Sequence, residues 1–66
     1  MRAEWKAVKM MSEEGSGFES RLADLWMHAD LSNSATLEKA FAEIFSKWED
    51  RYERYLEIMV EANANL

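Results

Sequence analysis

Cysteine and proline are absent from this 66-residue chain, and glycine occurs only at Gly15 and Gly17. Without cysteine there is no disulfide and no thiolate zinc site, so a reducing compartment is permitted. The single histidine, His28, excludes a histidine-rich metal site, and Asp24 on the same helical face adds only a second ligand. No uncharged run approaches the roughly 18–20 residues that span a bilayer. Arg2, Glu4, Lys6 and Lys9 interrupt the N-terminus before the apolar core of a signal peptide could form. The expected location is therefore the cytoplasm. Positive charge is scarce too: the net charge is −5. That balance disfavours direct nucleic-acid binding and anionic membrane surfaces, and it suits a partner protein with a basic surface.

The chemistry-bearing patterns of enzymes are missing as well. There is no Gly-x-Ser-x-Gly, no Gly-rich phosphate loop and no recognisable set of histidine and acid beside a serine. Catalytic residues, cofactors and metals are not expected. His28 reads as a surface or capping histidine near a helix C-terminus.

What the chain does contain is large apolar surface: three Trp, three Phe, two Tyr and five Met. Sixty-six residues make a single domain, 1–66, near the lower size limit for an unaided core. With no disulfide or metal, the available supports are tight helix packing and self-association.

Three helical segments are expected. Residues 2–13 read as a short helix; Ala3, Trp5 and Ala7 also alternate as a strand would, but a lone strand has no pairing partner here. Glu13-Glu14-Gly15-Ser16-Gly17 breaks that segment. Ser16-Gly17-Phe18-Glu19 then matches a capping box, and Phe18, Leu22, Leu25, Trp26 and Ala29 continue at helical spacing over 17–29. Asp30-Leu31-Ser32-Asn33-Ser34 reads as a connector, with Asn33 or Ser34 capping the third helix.

The third segment, 34–62, is the most regular. Leu37, Phe41, Ile44, Trp48, Tyr52, Tyr55 and Met59 follow helical steps of three and four residues. A continuous helix there would be ~40 Å long, against a radius of gyration of ~11 Å for a compact chain of this length. Either the helix breaks near 42–46 or its C-terminal half projects. Lacking an internal Pro or Gly, it is expected to be continuous. The fold expected is all-α: a small helical hairpin or three-helix bundle with a long C-terminal helix, dimeric through Trp48, Tyr52, Tyr55, Leu56 and Met59. Its core is expected at Trp5, Phe18, Leu22, Leu25, Trp26, Leu37, Phe41, Ile44, Phe45 and Trp48.

The opposite face carries Glu43, Asp50, Glu53, Glu57 and Glu61, flanked by Lys39, Lys47, Arg51 and Arg54. Glu43–Lys47 and Asp50–Arg54 are oriented to pair at i,i+4, whereas Glu49–Glu53, Glu53–Glu57 and Glu57–Glu61 repel. Three repelling pairs in succession suggest a row of carboxylates for docking against cations.

Gly17-Phe18-Glu19-Ser20-Arg21-Leu22, Ala29-Asp30, Asn33 and Leu37-Glu38-Lys39-Ala40-Phe41-Ala42-Glu43-Ile44-Phe45 resemble a segment of small proteins of phages and other mobile elements. The resemblance covers about half the chain. Those proteins tend to carry proline at the position of Ala42, which would start a new helix there. Small acidic phage proteins of this type are similar in size and charge to anti-CRISPR proteins, some of which imitate DNA with rows of carboxylates. The resemblance implies a non-catalytic inhibitor that occupies a basic nucleic-acid-binding surface of a host defence protein. The alternative is a structural or adaptor protein that assembles through its aromatic stripe.

Overall fold

Helix boundaries in this chain are set by side chains that take up the backbone groups each helix end leaves unpaired. The structure, a computed structural model, describes residues 3–64. Helix α1 (Trp5–Glu14) starts at Glu4, whose carboxylate accepts from the Lys6 N–H at 3.3 Å. It ends where the Gly15 N–H closes onto the Met11 carbonyl at 2.9 Å. The helical reading of this segment holds, with its start moved to Trp5; residue 2 lies outside the described residues. Helix α2 (Gly17–His28) opens with the anticipated capping box. The Glu19 N–H donates to Ser16 Oγ at 3.2 Å, and the Ser16 N–H donates to Glu19 Oε1 at 3.1 Å.

The supposed connector at 30–34 is the first turn of a helix instead. Asp30 is the N-cap, accepting from the Asn33 N–H at 2.8 Å, so α3 (Leu31–Ala40) begins three residues earlier than expected. Its hydroxyls are absorbed within the helix: Ser34 Oγ donates to the Leu31 carbonyl and Thr36 Oγ1 to that of Ser32, both at 3.1 Å.

The continuous helix over 34–62 is also corrected. The chain bends at Phe41, and α4 (Ala42–Ala64) starts afresh, at the position where the resembled proteins carry proline. Phe41 adopts φ −120°, ψ 39°, outside the right-handed helical region. Its N–H ends α3 on the Leu37 carbonyl at 2.9 Å, while its own carbonyl accepts from Ile44 at 3.0 Å and Phe45 at 3.1 Å. The cause is tertiary. Phe41 meets Phe18 edge-on with ring centroids 5.7 Å apart, while Ser34 on α3 and Trp48 on α4, on either side of the bend, are both buried.

That core joins Ala3 and α1 residues Ala7, Val8 and Met11 to Leu22, Ala23 and Trp26 of α2 and Phe45 and Trp48 of α4. Helix α1 packs against both α2 and α4, and α3 lies more lightly against the same two helices. Ala3, just before α1, and Ala7 on its face are the small residues there, and Trp26 fills the space beside Phe45 at 6.4 Å between centroids. Three residues expected in the core are outside it: Trp5, Phe18 and Leu25 are 52%, 58% and 57% exposed. Trp5 lies beside the Lys9 ammonium, 5.8 Å from its ring centre. Leu37, Phe41 and Ile44 are half-buried at the core's edge.

The fold is therefore all-α, with four helices and no strand among the described residues. Its extents are 43 × 25 × 19 Å and its radius of gyration is 13.0 Å, above the ~11 Å of a compact chain of this length. Among the described residues no helix is long and apolar enough to cross a membrane.

Candidate protein-binding surface

The surplus length lies in the second half of α4. Its first half is held by Phe45, Trp48 and half-buried Tyr52; from Glu53 to Asn63 every residue is exposed. Trp48 anchors the helix. Its indole N–H donates to Glu19 Oε2 at 3.1 Å, and the same oxygen receives the Lys47 ammonium. These two contacts, with the Ser16 N–H, hold the Glu19 carboxyl down to about 2, the Lys47 bond being the largest influence. The Arg51 guanidinium lies over the Trp48 ring, 4.6 Å from its centre. Lys47 therefore pairs with Glu19 and not with Glu43. Among the described residues Asp50 and Arg54 make no ion pair within 4 Å, though both line one shallow groove with Lys47 and Arg51.

Trp48 was expected at a dimer interface, and its 2% exposure removes it from any interaction surface. Tyr52 stacks on Tyr55 with centroids 6.5 Å apart, forming the root of the projection. Beyond it Tyr55, Leu56 and Met59 are uncovered at 47%, 43% and 44%. Ile58 and Val60, absent from the anticipated set, are more exposed still. At ~100° per residue, Ile58, Tyr55, Met59, Leu56 and Val60 occupy ~200° of the helix circumference, about twice the stripe of an ordinary surface helix. The three- and four-residue steps trace only the central line of the apolar face, and Ile58 and Val60 flank that line.

Glu53, Glu57 and Glu61 fill an adjoining arc of ~80°, with Arg54 at its border. All three are exposed, and none takes part in an ion pair among the described residues. Glu43 and Asp50, the other two acidic candidates, are exposed on the proximal half. Asp50 sits among Lys47, Arg51 and Arg54, so the row is charge-balanced there and plainly acidic only toward the tip.

A second apolar feature lies between α2 and α3. Phe18, Leu22, Leu25, Leu37 and Phe41 line a cavity of about 520 Å³ with Gly17 and Arg21 at its edge. It continues past Leu25 and Leu37 into one of about 360 Å³ bounded by His28, Ala29, Asn33 and Thr36. This trough exists because α2 is apolar on too broad an arc. Leu22, Ala23 and Trp26 turn into the core, which strands Phe18 and Leu25 on the flank. His28 is exposed, with Nδ1 2.8 Å from the Asp24 carbonyl oxygen.

Among the described residues no three His, Asp or Glu side chains converge as metal ligands. No protein-family model matches the chain, and no curated protein or solved structure is significantly similar to it.

Proposed function

We propose that this chain is a non-catalytic protein-binding module whose working part is the projecting half of α4. The observation that carries this reading is the exposed set Tyr55, Leu56, Ile58, Met59 and Val60 on a half-helix that no other described residues cover. A helix with this face binds by lying in a groove, its apolar side chains supplying affinity. Glu53, Glu57 and Glu61 beside it steer the encounter toward a groove with a cationic rim. The test is affinity capture from a nuclease-treated host lysate. Ile58→Asp together with Met59→Asp abolishes capture of the partner; capture that survives this pair refutes the reading.

A second reading gives the carboxylates the leading role: an inhibitor, of the phage or mobile-element type, that occupies a basic nucleic-acid-binding surface of a host defence protein. It is supported by the net charge of −5 and by the inward engagement of Lys47 and Arg51, which leaves the distal carboxylates unneutralised. Capture and inhibition of a DNA-binding complex then depend on Glu53 and Glu57 and weaken with salt. Binding indifferent to Glu53→Lys combined with Glu57→Lys removes this mechanism.

A further inference from the structure

We infer that the trough between α2 and α3 receives the projecting half of α4 from a second copy of this chain, each copy's arm seated in the other's trough. The inference rests on the reading of α4 as the binding element and names its occupant.

Shape comes first. An apolar arc of ~200° is wider than one opposing helix covers, so the arm needs a concave site. The trough is concave, with walls from Phe18, Leu22 and Leu25 on one side and Leu37 and Phe41 on the other. From Phe18 to Ala29 it runs ~16 Å along α2, and the arm from Tyr55 to Ala62 is ~10 Å long. The arm cannot fold back into its own trough, because α4 is one unbroken helix without glycine or proline.

Charge agrees. In a chain with 13 carboxylate residues, none lines either part of the trough; the ionic group at its edge is Arg21, with His28 at the far end. Asp24 lies beyond the lining, beside His28. The arm brings Glu53, Glu57 and Glu61 on the border of its apolar face, so seating it places carboxylates toward Arg21.

Area agrees as well. The chain exposes 5055 Å², roughly 700 Å² more than a compact monomer of its mass. A standard interface buries about 800 Å² per partner. Reciprocal exchange closes on itself, so the assembly stops at two copies.

Sedimentation equilibrium of the whole chain and two surface variants provides the first test. The native chain is a dimer at micromolar concentration. Leu25→Glu in the trough and Met59→Glu on the arm each raise the dissociation constant ~30-fold or more, as loss of a central interface residue does. Circular dichroism of both variants stays native, because both side chains are about half exposed. A native chain that remains monomeric at 100 µM overturns the exchange while leaving the arm free to bind another protein. Dimers that lose Met59→Glu but tolerate Leu25→Glu show arm-to-arm pairing and also overturn it. Dimers that tolerate Met59→Glu overturn both the exchange and the role of the arm.

The cysteine-free sequence permits a second measurement. A chain carrying both Leu25→Cys and Met59→Cys forms a disulfide-linked dimer on mild oxidation, and each single substitution does not. Efficient linkage of Met59→Cys alone, with no gain from the pair, contradicts the exchange.

Discussion

The Trp48 indole N–H and the Glu19 carboxylate meet at 3.1 Å across 29 residues of chain, joining the first third of α4 to the first turn of α2. The same carboxyl group completes the α2 capping box through its other oxygen. Trp48 is buried, so removing its acceptor leaves a donor without a partner. Glu19→Ala is expected to destabilise the fold by about 1–3 kcal/mol for that reason, plus about 1 kcal/mol for the broken cap. Ser16→Ala, which damages the cap alone, should cost only the smaller amount. Urea denaturation of the two variants checks the difference.

The lowered Glu19 titration makes a pH prediction with a definite sign. Its folded value is about 2, against an ordinary 4.5, so it contributes stability above the ordinary value. That contribution falls away as pH drops from about 5 toward 2. The stability gap between the native chain and Glu19→Gln should be full at pH 6 and close near pH 2. A gap that stays constant across this range contradicts the Lys47 and Trp48 contacts as its source.

The two glycines should respond oppositely to alanine. A Cβ on Gly15 would stand 2.6 Å from the Met11 carbonyl oxygen and 2.8 Å from Glu19 Cβ, with the Trp48 ring 3.4 Å away. The first of these is backbone, so the strain cannot be relieved by a side-chain rotation. Gly15→Ala is expected to cost about 1–3 kcal/mol. At Gly17 a Cβ meets nothing within 4 Å, and Gly17→Ala should gain about 0.4–1 kcal/mol through the unfolded chain. Thermal melting of both variants decides this.

The bend at Phe41 can be probed with proline. Ala42 is the first residue of α4, a position that suits proline's fixed φ and needs no N–H. Ala42→Pro should change stability by less than about 1 kcal/mol, whereas in the interior of a continuous helix it would cost about 3 kcal/mol. A loss of the larger size would mean that α3 and α4 are one helix in solution.

Amide exchange should divide α4 near Tyr52. Its first half packs against α1 and α3, while no described residues cover the half beyond, and short unsupported helices are marginal in water. At nanomolar concentration, residues 54–62 are expected to exchange at least 100-fold faster than residues 44–50. Equal protection in both halves would contradict a projecting arm.

Local signals in this chain were readable where neighbours in sequence are also partners in space. Ser16 and Glu19 announce their cap, and the 4-4-3-4 spacing from Ile44 to Met59 announces the body of α4 though not its start. Phe41 is different: its edge-on contact with Phe18 reaches across 23 residues, and no local spacing signals it. The polar run after Asp30 has the composition of a loop, yet Asp30 caps a helix there and the Ser34 and Thr36 hydroxyls bond back within it. Trp5, Phe18 and Leu25 have the hydrophobicity of core residues, yet Ala3, Ala7, Ala23, Val8 and Met11 take the buried places. The acidic row was visible, but the capture of Lys47 by Glu19 and the stacking of Arg51 on Trp48 were not, since both are tertiary contacts.

The clasp at Glu19 has a consequence for how this small domain comes apart. Because one carboxyl group both caps α2 and accepts from the tryptophan of α4, opening either contact weakens the hold on the other. Residues 5–52 should therefore melt in a single all-or-none step despite their modest number. A chain so short has no room for a half-assembled state, and this carboxylate is where that indivisibility is built.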